Sequence, residues 1–294
     1  MKDNSPACPV CLAETFELGS KRGTYRSETQ FSFRHCPSCH FSFVANPCLD
    51  FLSIYDEAYY RGKGADPYVD YVYEIEHPEQ TIRVYEWRGI FQAVRSLTSV
   101  GENTAWLDFG CGNGGLVLYC LAHGCPRTVG FEEGWIEQRA REKGVPLLDT
   151  PQLEELIGKF DIVTAIEVLE HLPWPIGTLK KIRALLKPGG LFFLTTGNAR
   201  PYRGRILEWR YVVPEVHVSF FEPATLELAL KRAGFRPERR GYLPEFTDII
   251  RYKILKSLRV RRRNLAERLL PWSILTHLAD RRYGISDQPV GWAL

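Results

Sequence analysis

A strand-like run that stops abruptly in glycines leaves this chain few choices of fold. Ala105-Trp106-Leu107-Asp108-Phe109 is short and apolar, Gly110-Cys111-Gly112-Asn113-Gly114-Gly115 follows at once, and Leu116 to Ala122 continues as an apolar helical stretch. Glycines are needed where a strand turns tightly into a helix, because they permit positive φ and let backbone approach a nucleotide-like ligand. The next strand candidate, Arg127-Thr128-Val129-Gly130-Phe131, ends at Glu132, 22 residues beyond Gly110. An acidic group at that position can accept hydrogen bonds from both hydroxyls of a ribose. Asp161-Ile162-Val163-Thr164-Ala165-Ile166-Glu167 and Leu191-Phe192-Phe193-Leu194-Thr195-Thr196 read as two further buried strands, separated by a helix and the turn Lys187-Pro188-Gly189-Gly190. Repeated β-α units with a glycine-rich first turn predict an α/β fold, a Rossmann-like doubly wound sheet with its ligand at the carboxyl ends of the strands.

Ahead of this pattern the cysteines carry a second signal. Cys8-Pro-Val-Cys11 and Cys36-Pro-Ser-Cys39 are two C-x-x-C pairs separated by 24 residues. Each pair can fold as a turn whose thiolates meet one ion, and four thiolates close a tetrahedron with no position left for water, as structural Zn²⁺ prefers. Strand-like alternation at Thr24-Tyr25-Arg26, Phe31-Ser32-Phe33-Arg34 and Phe41-Ser42-Phe43-Val44 fits a zinc ribbon, with His35 and His40 as alternative ligands. Cys48, Cys111, Cys120 and Cys125 lack paired spacing and read as small buried apolar residues. Between ribbon and glycine turn, apolar positions Ile82, Tyr85, Ile90, Val94 and Leu97 recur at helical spacing.

Composition matters chiefly for what it excludes. With 45% hydrophobic and 25% charged residues the chain is neither disordered nor fibrous. No stretch approaches the roughly 18 apolar residues of a membrane span, and the start MKDNSPACPVCL has no apolar leader, so a cytoplasmic home is expected. The net charge of +3 is uneven: residues 1–50 sum to zero, whereas residues 236–294 carry thirteen basic and six acidic side chains. A polyanion contact is therefore expected at the C-terminal end. Ile250, Ile254, Leu255, Leu258, Leu265 and Leu269 form a candidate apolar stripe opposite basic residues, a pattern that suits peripheral association with an anionic membrane or packing on its own domain. The predicted organisation is a ribbon over 1–48, linker and lid helices over 49–98, the doubly wound domain over 99–245, and a basic helical extension over 246–294.

The motifs WLDFGCGNGG, TVGFEEG, FDIVTAIEVLEHLPWP and LKPGGLFFLTTGN, in that order and spacing, resemble those of class I S-adenosylmethionine-dependent methyltransferases. They are similar to the branch that includes the ubiquinone-biosynthesis O-methyltransferases. With CPVC…CPSCHFSFVANP and YDEAYY before them and EVHVSFFEPATLELALKRAGF after them, the chain resembles bacterial methyltransferases with an N-terminal zinc ribbon, many associated with sugar, surface-polysaccharide or secondary-metabolite pathways. The resemblance implies that Asp108, Gly110, Gly112 and Gly114 surround the methionine part of S-adenosylmethionine. By the same resemblance Glu132 holds the ribose, Glu167 lines the floor, and Asp149 or Thr150 approaches the adenine. The sequence departs from many relatives in having Glu rather than Asp at 132 and Gly197 rather than Pro before Asn198.

Methyl transfer from a sulfonium is an in-line displacement, so the protein must align donor and acceptor and remove a proton from an alcohol acceptor. Histidines titrate near working pH, which makes His217 and His171 the candidate bases. Tyr59 and Tyr60 are candidate lid or substrate-binding residues, Asn198 and Arg200 candidate substrate contacts, with Arg203, Trp209 and Arg210 nearby. Three function classes follow. The first is a methyltransferase acting at oxygen, with carbon or nitrogen as alternatives, on a sugar, nucleotide-sugar, lipid-linked or secondary-metabolite acceptor. The second is an RNA methyltransferase that grips nucleic acid through the ribbon and basic tail, which the neutral ribbon disfavours. The third is a non-catalytic zinc-ribbon interaction protein with a relic cofactor fold.

Overall fold

The computed structural model describes residues 6–25, 28–65, 67, 69–239, 241, 242 and 244–294. Strands β1 (Phe16–Arg22), β2 (Gln30–His35) and β3 (Ser42–Val44) come first, then helices α1 (Phe51–Ile54), α2 (Glu57–Tyr60), α3 (Tyr71–Glu76) and α4 (Arg83–Leu97). The central alternation is β4 (Trp106–Phe109), α5 (Gly115–Ala122), β5 (Thr128–Phe131), α6 (Ile136–Glu142), β6 (Leu147–Leu148), α7 (Thr150–Glu155), β7 (Phe160–Ile166), α8 (Pro175–Leu185) and β8 (Leu186–Thr195). After it come β9 (Ser219–Phe220), α9 (Pro223–Arg232), β10 (Phe235–Arg239), α10 (Phe246–Ser257), α11 (Leu265–Arg268), α12 (Trp272–Tyr283) and β11 (Pro289–Ala293). The short helices start where carboxylates cap them: Asp50, Asp56 and Asp70 each accept a backbone N–H of the first turn of α1, α2 and α3.

The main sheet has the order β10-β11-β8-β7-β4-β5-β6. Its strands β6, β5, β4, β7 and β8 are parallel, and β11 runs antiparallel between β8 and β10. Both faces are covered, which is why these strands read as unbroken apolar runs. Side chains alternate between the two layers: Leu107, Val163, Phe192 and Leu194 pack with α8 and α9, whereas Trp106, Ile162, Leu191 and Phe193 pack with α4 and α10. Gly89 permits the second layer, since a Cβ there would stand 2.8 Å from the Ile249 backbone nitrogen of α10.

Two expectations change shape. The first ribbon strand is β1, upstream of Thr24 and Tyr25, which lie in bends; Arg26 is outside the described residues. The ribbon sheet also takes in β9, in the order β1-β2-β3-β9, so the N-terminal unit is stitched to the main body by strand pairing. Likewise the segment 246–294 is largely helical but ends in β11, a strand of the central sheet, because Val290 and its neighbours fill the gap between β8 and β10. The expected apolar stripe divides: Ile250 and Leu255 are fully buried, while Leu258, Leu265 and Leu269 face solvent. Among the described residues no helix is long and apolar enough to cross a membrane.

Candidate active site

A cavity of about 1520 Å³ opens at the carboxyl ends of β4, β5 and β7. One end is built by the glycine turn. Gly110 (φ +72°) and Gly112 (φ +56°) line it in the left-handed region, and a Cβ on Gly110 would meet Val168 Cγ2 at 2.7 Å. Gly114 behaves differently: it caps α5 and its missing Cβ makes room for Val145, so it serves packing and does not line the cavity. Asn113 ties the turn to α3, donating to the Tyr71 carbonyl at 2.9 Å and accepting from Gly115 N–H at 3.0 Å.

At the end of β5 the Glu132 carboxylate is fixed by the backbone. The Gly112 N–H donates to one oxygen at 2.8 Å, and the Gly134 N–H (2.8 Å) and the Tyr60 hydroxyl (3.2 Å) donate to the other. Burial raises its pKa, and the same donors oppose that rise. Asp108 is buried beneath the turn, and although the Thr164 hydroxyl donates to it at 2.7 Å, burial pushes its pKa up to about 7. Tyr59 and Tyr60 are buried in the cavity wall, with the Tyr59 ring stacked on Tyr71. Thr150 lines the cavity and donates to Glu133 at 2.9 Å, whereas Asp149 caps α7 and lies outside the lining.

The other end is assembled from distant segments. Glu167, at φ +54°, accepts from Lys253 of α10 at 2.7 Å and from the Tyr211 hydroxyl at 3.2 Å. Burial would raise its pKa, but Lys253 prevails and draws it down to about 2. Three residues on, Glu170 accepts from the Tyr211 and Thr196 hydroxyls, and burial together with the Glu167 charge pushes its pKa up to about 8. Two carboxyls on one turn thus have their pKa values pushed in opposite directions.

His171 and His217 stand beside them, ring centroids 5.0 Å apart, and one ligand atom from each of Glu170, His171 and His217 falls within 4.8 Å of the others. His171 Nδ1 lies 2.8 Å from the Val216 carbonyl and 2.8 Å from the Tyr55 hydroxyl, and His217 Nδ1 lies 2.5 Å from the Tyr211 carbonyl. A carbonyl oxygen only accepts, so each ring donates from Nδ1 at these contacts. Such a cluster can move a proton or hold a divalent cation.

The remaining sequence candidates divide. Trp209 and Arg210 line the cavity. Asn198 also lines it, but its amide donates to the Tyr283 and Gly284 carbonyls at 3.1 and 2.9 Å, which makes it a clamp for the C-terminal segment. Arg200 is outside the lining and pairs with Asp287 at 2.8 Å; Arg203 is spent on Glu222. Cys111 lines the cavity, while Cys120 and Cys125 are buried as expected. Tyr55, Tyr211 and Lys253 were not singled out by sequence. Glu170 had a legible signal, its three-residue spacing from Glu167.

Cys8, Cys11, Cys36 and Cys39 bring their sulfurs within 4.8 Å of one another, with Cys8 to Cys39 at 3.6 Å and Cys11 to Cys36 at 3.3 Å. These spacings fit the ~3.8 Å sulfur separations of a tetrahedral zinc thiolate site with Zn–S near 2.3 Å. His35 instead bonds Ser42 at 2.8 Å. The opposite face of the ribbon sheet buttresses the acceptor loop: Phe31, Phe33 and Val44 pack with Val212, Val218 and Phe220, and Lys21 donates to the Val212 carbonyl at 2.7 Å.

The sheet order, the glycine turn and the acidic residue after β5 together define the class I S-adenosylmethionine-dependent methyltransferase fold. The methyltransferase-domain family profile matches residues 85–239, more than half of the chain, and the chain belongs to that family. It is similar to the curated ubiquinone biosynthesis O-methyltransferase of Pseudomonas aeruginosa (strain UCBPP-PA14), with 35% identity over 105 residues covering 32% of this chain and 45% of that protein. The counterpart from Dechloromonas aromatica (strain RCB) is 31% identical over 152 residues, covering 45% of this chain and 64% of that one. The match therefore spans about half the length of these relatives. A chain of the solved Haloferax volcanii complex containing the Trm112 methyltransferase activator shares the fold, with a TM-score of 0.50, 19% identity, and coverage of 71% of this chain and 90% of that one.

Proposed function

We propose that this protein moves a methyl group from S-adenosylmethionine to an oxygen of a small-molecule acceptor of the sugar, nucleotide-sugar, lipid-linked or secondary-metabolite kind. The observation that carries the reading is one cavity that joins a backbone-anchored carboxylate, Glu132, to the His171–His217 pair, whose Nδ1 atoms are held by backbone carbonyls. The residues present fit the donor: the left-handed Gly110 and Gly112 put bare backbone into the cavity lining, and Glu132 is fixed by two N–H groups. When bound, S-adenosylmethionine supplies an electrophilic methyl on a sulfonium. Glu132 binds and orients the ribose, while Gly110, Gly112 and Asp108 border the methionine portion. Tyr59 and Tyr60 exclude water. His217 Nε2 takes the proton of the acceptor hydroxyl, with His171 beside it as a positioning residue held by Tyr55 and Val216. Cys8, Cys11, Cys36 and Cys39 hold a structural Zn²⁺ that keeps the ribbon folded against the loop bearing Tyr211 and His217. Calorimetry with S-adenosylmethionine, followed by a radiolabelled methyl-transfer screen over hydroxylated acceptors, tests the reading. Binding with transfer to oxygen supports it, and absence of cofactor binding by the zinc-loaded protein ends it.

A further inference from the structure

The C-terminal segment turns outward after α10. From residue 257 to residue 283 six large aliphatic side chains face solvent: Leu258 (66%), Leu265 (71%), Leu269 (76%), Leu270 (45%), Ile274 (59%) and Leu278 (56%). Monomeric soluble surfaces rarely concentrate aliphatics in this way. Every charged residue classed as exposed in the same stretch is an arginine: Arg259, Arg261, Arg262, Arg268, Arg281 and Arg282. Its two acidic residues are turned inward, Glu267 toward Arg251 and Asp280 toward Ser286. Ile274 and Leu278 share one face of α12, while Trp272 and Thr276 anchor the other face in the protein.

We infer that this leucine- and arginine-rich face docks on an anionic lipid bilayer. Aliphatics interspersed with cations, with the exposed Glu79 carboxylate beside them paired to Arg263, match an acyl boundary beneath acidic headgroups. A second copy of the same face would set arginine against arginine across a two-fold axis, and nucleic acid would favour aromatic platforms over leucines. The stretch begins beside the cavity. Leu258 lies between Ser257 and Arg259, which both line the cavity, and Phe51 and Leu52 line it too, exposed by 41% and 74%. If the proposed methyl transfer holds, docking opens the cleft toward the bilayer and selects an acceptor carried there; the docking itself does not depend on that reaction.

The test is flotation of the full chain with vesicles of phosphatidylcholine alone and of phosphatidylcholine with phosphatidylglycerol, at low and high salt. Expected is a partition onto anionic vesicles at least about tenfold above the neutral ones, weakened by salt, and lost in the triple variant L269E/I274E/L278E. R268A/R281A/R282A should lose the preference for anionic lipid. Unchanged calorimetric affinity for S-adenosylmethionine serves as the fold control, so a failure of docking is distinguishable from a failure of the enzymatic reading. Absence of flotation at low salt, full binding by the glutamate variant, a dimer by sedimentation that the same variant dissolves, or equal affinity for an RNA oligomer would each overturn the inference.

Discussion

The two ends of the cavity are made in different ways. The glycine-turn end, the proposed donor site, is local: Asp108, Gly110, Gly112, Glu132 and Gly134 lie within one β-α-β stretch, and backbone N–H groups do most of the holding. The histidine end, the proposed acceptor site, is composite, drawing Tyr55 from before the sheet, Glu167, Glu170 and His171 from after β7, Tyr211 and His217 from the loop under the ribbon, and Lys253 from α10. A backbone-held site tolerates change elsewhere in the chain, whereas a composite site inherits the stability of every element that feeds it.

Removal of the proposed ribbon zinc should separate the two ends most sharply. Structural zinc contributes about 10–16 kcal/mol of apparent folding energy in small zinc modules, so Cys36→Ser or chelation should unfold β1 to β3. Metal analysis should then show loss of one zinc per chain, with turnover falling at least ~100-fold and cofactor affinity by less than ~10-fold, because the donor end lacks contacts with Phe31, Phe33 or Lys21. Equal losses at both ends would erase the distinction.

His217→Gln comes next. It keeps a hydrogen-bonding side chain but removes the basic Nε2, and turnover should drop by about 10²–10⁴ with unchanged calorimetric binding of S-adenosylmethionine. Wild-type turnover would show that proton removal lies elsewhere.

Glu132→Gln should do the converse. Placing an amide NH₂ against the Gly112 or Gly134 N–H forfeits a charge-assisted bond, so cofactor affinity should weaken about 10–100-fold, measured by titration calorimetry.

The smallest effect concerns pH. The folded-state pKa of Glu170 is raised from 4.5 to about 8, so its favourable contribution is full below about 4.5 and disappears as pH rises through about 8. Glu170→Gln mimics the protonated form and should flatten the pH dependence of the denaturation midpoint between pH 5 and 9. The Glu167 contribution, whose pKa is lowered to about 2, is present above about 4.5 and fades only as pH falls through about 2, so acid titration separates the pair.

Legibility follows the same division. The glycine turn, the carboxylate after β5 and both C-x-x-C pairs are short-range patterns, and all fall where their spacing predicts. Gly114 was grouped with the cavity because it sits in the same motif, yet its conformation serves Val145. Arg200 was given a substrate role from its place after β8, but Asp287, 87 positions later, claims it. Lys253 read as one more cation of a surface tail; burial of Ile249, Ile250, Tyr252 and Leu255 on α4 turns it inward to Glu167.

What the sequence determined by itself was the fold class and the placing of the glycine turn, Glu132 and the four cysteines, since each depends on residues close enough in the chain for local geometry to fix their relation. Tertiary structure decided the rest: that β9 and β11 sew both termini into the body, that the ribbon supports the acceptor loop, and that Glu167 and Glu170 are driven apart in pKa. Those outcomes depend on burial and on charges brought together from remote segments, and a buried charge is set by what surrounds it in space and not by its neighbours in sequence.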